Sequence, residues 1–208
     1  MIMRQITELS MCIRLCRLLT LVAFVLLASC AGEVRQDAEV IPTKVEIKNV
    51  DVDSDVEADF NQAVILMNED KYAQAVELLN TVVQREQRLP APFVNLAIAQ
   101  NKLGDKKAAE KNLIKALKLD IGHPVANNEL GLLYRKTGKF NAARTAYQNA
   151  IKEHPDYLPA KRNLGVLCDL YLHDYDCALE QFEDYLELVP DDKEVVIWVA
   201  DVKRRIGK

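Results

Sequence analysis

Small residues return along this chain at a fixed interval. Ala63, Ala97, Gly131 and Gly165 are successive steps of 34, as are Ala75, Ala109 and Ala143. Two further rows keep that register: Leu79, Leu113 and Tyr147 in one, Val82, Ala116 and Ala150 in the other. A period of this length means a stacked array, in which each unit buries its apolar face only against its neighbours. Seven Gly and seven Pro in 208 residues are too few for the turns of an all-β array, so the repeated unit is helical. Gly104 and Gly138 fall at the same place in two units, where a left-handed residue ends a helix. Pro90, Pro124 and Pro159 stand at or near helix starts, where a missing N–H costs little.

The third unit resembles the tetratricopeptide repeat most closely. It has Leu130, Gly131, Tyr134, Ala143, Tyr147, Ala150 and Pro155 at that family's positions 7, 8, 11, 20, 24, 27 and 32, with Asn127 where the family favours Trp at position 4. The resemblance implies an all-α, right-handed solenoid of helix-turn-helix units, with repeats over 56–89, 90–123, 124–157 and 158–192. Ala178, Phe182 and Pro190 run one step late relative to Gly165, which predicts one extra residue in the interhelix turn 170–176. Residues 193–208 read as one more first helix, whose Lys203, Arg204, Arg205 and Lys208 suit a cap with a polar end.

The N-terminus carries an address. Arg14 and Arg17 precede an apolar run from Leu18 to Leu27, which at about 15 Å is too short for a hydrocarbon core of about 30 Å and reads as a secretory signal over 1–29. Met11 is an alternative translation start. The signal ends in Leu27-Ala28-Ser29-Cys30, which resembles the lipobox of bacterial lipoproteins. That resemblance implies lipidation at Cys30 and, with Ala31 rather than Asp following, an outer-membrane lipoprotein facing the periplasm. Residues 30–55 alternate charges with isolated valines and read as a flexible tether.

The inventory leaves little room for catalysis. No serine lies beyond Ser54, no Gly-rich phosphate loop occurs, and His123, His154 and His173 lack partners at catalytic spacing. The chain reads as a non-enzyme without cofactor or metal; Cys168, His173 and Cys177 are the one cluster weighed for zinc, against the blander reading of a surface His beside two cysteines. A net charge of −4 and 6% aromatics argue against nucleic acid. Cys168 and Cys177 remain with Cys30 after signal removal, and in an exported chain they are expected to pair, the alternative being two thiols packed as small apolar groups.

The family resemblance implies binding in a concave groove lined by first helices. On this chain positions 5, 6, 9 and 12 supply Phe60, Asn61, Val64 and Met67; Val94, Asn95, Ile98 and Asn101; Asn128, Glu129, Leu132 and Arg135; Arg162, Asn163, Val166 and Asp169. Asn recurs at position 6 in three of the four, either as solvated side chains or as a ladder able to pair with an extended peptide backbone. Phe60, Val94, Ile98, Leu132 and Val166 are expected to stand exposed beside it. The chaperone-type carboxylate clamp is not matched, because Val125 and Glu129 stand where Lys and Arg are needed. The function expected is an envelope adaptor binding peptide or helix segments of periplasmic proteins; the other reading is a permanent subunit or pilotin-like assembly factor of a secretion, pilus or energy-coupled transport complex.

Overall fold

A computed structural model describes residues 51–207; the signal, Cys30 and the tether as far as residue 50 lie outside the described residues. The described chain runs as nine α-helices with no strand: α1 (Ser54–Asn68), α2 (Tyr72–Arg85), α3 (Pro90–Lys102), α4 (Lys106–Leu119), α5 (Pro124–Lys136), α6 (Phe140–Glu153), α7 (Leu158–Leu167), α8 (Tyr175–Leu188) and α9 (Lys193–Ile206). They form an all-α tetratricopeptide solenoid of four helical hairpins, α1–α2 to α7–α8, followed by α9.

Local chemistry sets the boundaries. The side chains of Asp105, Asp174 and Asp192 accept hydrogen bonds from the first backbone amides of α4, α8 and α9, and Pro90 and Pro124 occupy the first turns of α3 and α5. Asp53 does the same for α1, accepting from Asp55 N at 3.0 Å and pairing with Arg85 at 2.8 Å. The tether expected to reach residue 55 therefore ends sooner, because Ser54 and Asp55 form the first turn of a capped helix.

The hairpin turns explain the extra residue. Asp70, Gly104 and Gly138 are left-handed, with φ of 58°, 87° and 76°. Each turn closes by an amide reaching five residues back, as in Lys71 N to Leu66 O, Asp105 N to Gln100 O and Lys139 N to Tyr134 O. In the fourth hairpin the left-handed residue is His173, and Asp174 N reaches six residues back to Cys168 O. The extra residue is absorbed as a π-helical turn, Cys168–Leu172, so the insertion starts earlier than the expected 170–176. A π turn keeps the backbone hydrogen-bonded while adding one residue, which a looser loop would not.

Helix pairing follows side-chain volume. Gly131 and Gly165 lie under the Tyr147 and Phe182 rings, where an added Cβ would meet ring carbon at 2.4 Å in both cases. The first two hairpins reach the same fit with buried Ala63 and Ala97 against Leu79 and Leu113. No helix among the described residues is long and apolar enough to cross a membrane.

The C-terminal helix differs from the polar cap expected. Arg205 turns inward to Asp169 at 2.7 Å and lies over the Tyr175 ring, and Lys203 pairs with Glu183. The outer surface instead carries Val196 and Ile197, 45% and 65% exposed. Lys203 and Arg205 are drawn to carboxylates of the fourth hairpin, and Arg204 pairs with Asp201 of α9 itself.

Candidate peptide-binding face

The first helices α1, α3, α5 and α7 lie side by side and carry every residue assigned to the groove except Asp169, which falls in the π turn that follows α7. Their exposure is uneven. Asn61 is exposed, whereas Phe60, Val64, Val94, Asn95, Ile98, Asn128 and Glu129 are buried; Asn101, Leu132, Arg135, Arg162, Asn163 and Val166 are half-buried. The expectation of an exposed apolar row is thus corrected for Phe60, Val94 and Ile98, which are 6%, 1% and 3% exposed. Neighbouring first helices touch, and these three side chains join one continuous core with Val64, Ala97 and Ala126. Burial there contributes to the domain itself, at about 25 cal/mol per Å² of apolar surface. Leu132 and Val166 remain partly accessible.

The asparagines do not form one ladder. Asn163 Nδ2 donates to Asn128 Oδ1 at 2.9 Å, and Asn128 Nδ2 donates to Glu129 Oε1 at 3.3 Å. The third and fourth hairpins are thereby tied by an amide pair that fixes both side chains. Asn61 is separate and solvated, and Asn95 is buried.

Around this pair the face is charged and aromatic. Arg162 pairs with Glu194 at 2.7 Å and lies 4.8 Å from the Trp198 ring centroid. Arg135 lies 6.0 Å from the centroid of Tyr171, which packs on Phe140 at 4.9 Å. Asp169 is 7% exposed and bound by Arg205, whose guanidinium its hydrogen bond holds above the ordinary arginine value. Tyr171 and Trp198 were not assigned to the site from sequence. Trp198 could have been, since it occupies position 6 counted from Lys193. Tyr171 could not, because the π turn shifts its register.

Beside this face the structure joins Cys168 to Cys177, with Cα atoms 5.9 Å apart. Arg144 Nη2 reaches Asp174 Oδ2 at 2.6 Å and Cys168 Sγ at 3.8 Å. Of the cluster weighed for zinc, His173 packs near Tyr175, and Asp174, not His173, faces the sulfurs. With the sulfurs bonded to each other and Asp174 held by Arg144, this is a braced turn.

The tetratricopeptide-repeat family profile matches residues 92–120 and again residues 124–157, the second and third hairpins just described. The chain is a tetratricopeptide-repeat protein. It is 30% identical over 143 residues to protein FlbA of Caulobacter vibrioides, covering 68% of this chain and 24% of FlbA; it thus spans about a quarter of that relative's length. Among solved structures, MamA is 25% identical, with a TM-score of 0.58 over 64% of this chain and 77% of that one. The pilF protein of Pseudomonas aeruginosa is 20% identical, with a TM-score of 0.66 over 72% and 68%, a likeness of fold. Repeat proteins of this kind serve as protein-interaction scaffolds that bind peptide or protein partners, and they are generally not enzymes.

Proposed function

We propose that this repeat protein is a lipid-anchored adaptor on the periplasmic side of the outer membrane, holding peptide or helix segments of envelope proteins against α5 and α7. The observation that carries the binding half is the fixed Asn128–Asn163 amide pair, flanked by half-buried Leu132, Val166, Arg135 and Arg162. A held amide keeps a donor and an acceptor in place for a peptide backbone at low entropic cost, while Leu132 and Val166 supply apolar contact. The anchoring half is supported by the sequence alone, from the apolar run before Leu27-Ala28-Ser29-Cys30. Acyl chains on Cys30 would contribute about 0.8 kcal/mol per buried methylene.

The experiment places a photo-crosslinking residue at Val166 in cells and compares wild type with Cys30→Ala. The expected result is a discrete crosslinked partner set from the membrane fraction, lost in the Leu132→Ala/Asn163→Ala variant. Cys30→Ala should appear unprocessed or in the soluble fraction. Wild type with an unmodified N-terminus in the soluble periplasm refutes the anchor; crosslinks unchanged by the double variant refute the face. A single stoichiometric partner without which the chain is insoluble would instead mark a permanent subunit.

A further inference from the structure

Charge is unevenly shared among the second helices. Helix α4 carries Lys106, Lys107, Lys111, Lys115 and Lys118 against the single acid Glu110, which is already paired with Lys139 at 3.1 Å. Helix α8 is the reverse, with Asp176, Glu180, Glu183, Asp184 and Glu187 and no basic residue. The whole chain has a net charge of −4, so the basic stretch runs against the balance of the molecule. Lys107, Lys111, Lys115 and Lys118 follow one another at intervals of four, four and three, which puts them on one side of the helix in a stripe about 16 Å long. All four are exposed. Among the described residues Lys107, Lys111 and Lys118 meet no carboxylate, and Lys115 lies over the Phe93 ring, 5.2 Å from its centroid. Apolar side chains border the stripe: Ile114 and Leu119 are 39% and 45% exposed, and Ile121 in the turn that follows is 80% exposed.

We propose that the lysine stripe of α4 docks the solenoid on an anionic phospholipid surface, with Ile114, Leu119 and Ile121 reaching among the headgroups. Three features choose a bilayer over an acidic protein. The cations are all lysine, a residue in which protein interfaces are depleted, whereas paired recognition of carboxylates favours the planar fork of arginine. Compact ammonium groups on flexible stems suit a field of phosphates without fixed geometry. The stripe also lacks an anchor for a protein partner, since α4 has no aromatic residue and lies on a second helix, away from the groove of first helices. Finally, the charges are separated along the solenoid. An anionic surface attracts the second hairpin and repels the acidic α8 of the fourth, which gives the docked molecule one orientation. Docking by α4 goes beyond the adaptor role proposed above and requires neither the groove of α5 and α7 nor an acyl chain on Cys30.

The test mixes the purified full chain with vesicles of phosphatidylcholine alone or of phosphatidylcholine with phosphatidylglycerol, and reads by mass spectrometry how fast an amine reagent modifies each lysine. Lys193, exposed on α9, is the internal reference. With phosphatidylglycerol present, Lys107, Lys111, Lys115 and Lys118 should react at least about threefold more slowly than with phosphatidylcholine alone, while Lys193 is unchanged. The protection should vanish at about 1 M salt, where screening acts over roughly 3 Å. In Lys107→Gln/Lys111→Gln/Lys118→Gln, which keeps good helix formers on an exposed face, the remaining Lys115 should lose the protection it shows in wild type. Equal rates on the two kinds of vesicle overturn the proposal, as does equal slowing of Lys193, which would mean unspecific shielding of the whole chain. Protection of Lys115 that persists in the triple variant removes the stripe as its cause. Protection by soluble polyglutamate but not by vesicles would give the stripe to an acidic protein and equally overturn the proposal.

Discussion

At position 8 the backbone volume of the first helix is traded against the side chain of the second. Where Tyr147 and Phe182 cross, even a methyl group cannot fit, since it would stand 2.4 Å from ring carbons. Gly131→Ala gains up to about 1 kcal/mol of helix propensity, but overpacking against a fully buried ring costs about 1–3 kcal/mol, so a net loss of stability is expected in urea unfolding. The measurement that isolates the cause is a double-mutant cycle. Gly131→Ala/Tyr147→Leu restores the Ala–Leu pairing of the first two hairpins and should recover most of the loss, giving an interaction energy above about 0.5 kcal/mol. Strict additivity would show that the ring is not the obstacle.

At the scale of an element, two ends carry testable chemistry. Helix α5 is capped by His123, whose Nδ1 accepts from Ala126 N at 3.2 Å. Burial pushes the His123 imidazole below its ordinary value, so it is neutral in the fold at pH 7 and its lone pair is available. Below about pH 6.5 the unfolded chain binds a proton there that the folded chain resists, so stability is full above that pH and falls as pH drops through the depressed folded value. The melting temperature of wild type should decline on acidification more steeply than that of His123→Asn, which keeps a cap acceptor without the titration; equal slopes would exclude His123 as the source. The π turn is the second such end. Bridging Cys168 to Cys177 closes a loop of sequence separation 9, worth about 2.5 kcal/mol in the chain-entropy model. Reductant should lower the stability of the oxidised protein by about that amount, and hydrogen exchange should rise first at Cys168–Asp174. An unchanged unfolding midpoint after verified reduction would show that the π turn holds without the bridge.

For the molecule as a whole, stability is a sum of hairpins and the contacts between neighbours. The apolar core falls into two clusters, one running from Val56 to Leu133 and taking in Ala146 of α6, the other gathering Ala143 and Tyr147 of α6 with α7 to α9 around Phe182. Gly165→Ala, which strikes the second cluster, should raise amide exchange in α7–α9 well before α1–α3. Uniform acceleration along the chain would mean that the solenoid opens as one unit.

The period of 34 was enough to read the solenoid from sequence, because each hairpin's fold depends on residues within itself and its neighbour, which a linear register captures. Glycines at position 15 and prolines at helix starts are backbone constraints, equally visible in the chain. The π turn was legible only as a count of one, since sequence shows that Gly165 and Ala178 are a residue out of step but not which hydrogen bond absorbs it. Burial of the expected apolar row was decided by tertiary packing: position 5 or 9 of a first helix faces solvent or core according to how closely the next first helix approaches, and Phe60, Val94 and Ile98 went inward while Leu132 and Val166 stayed at the surface. Asn163, read as a rung for a ligand, instead found Asn128 of the preceding hairpin, since only the superhelical stacking set two amides 35 residues apart within hydrogen-bond reach.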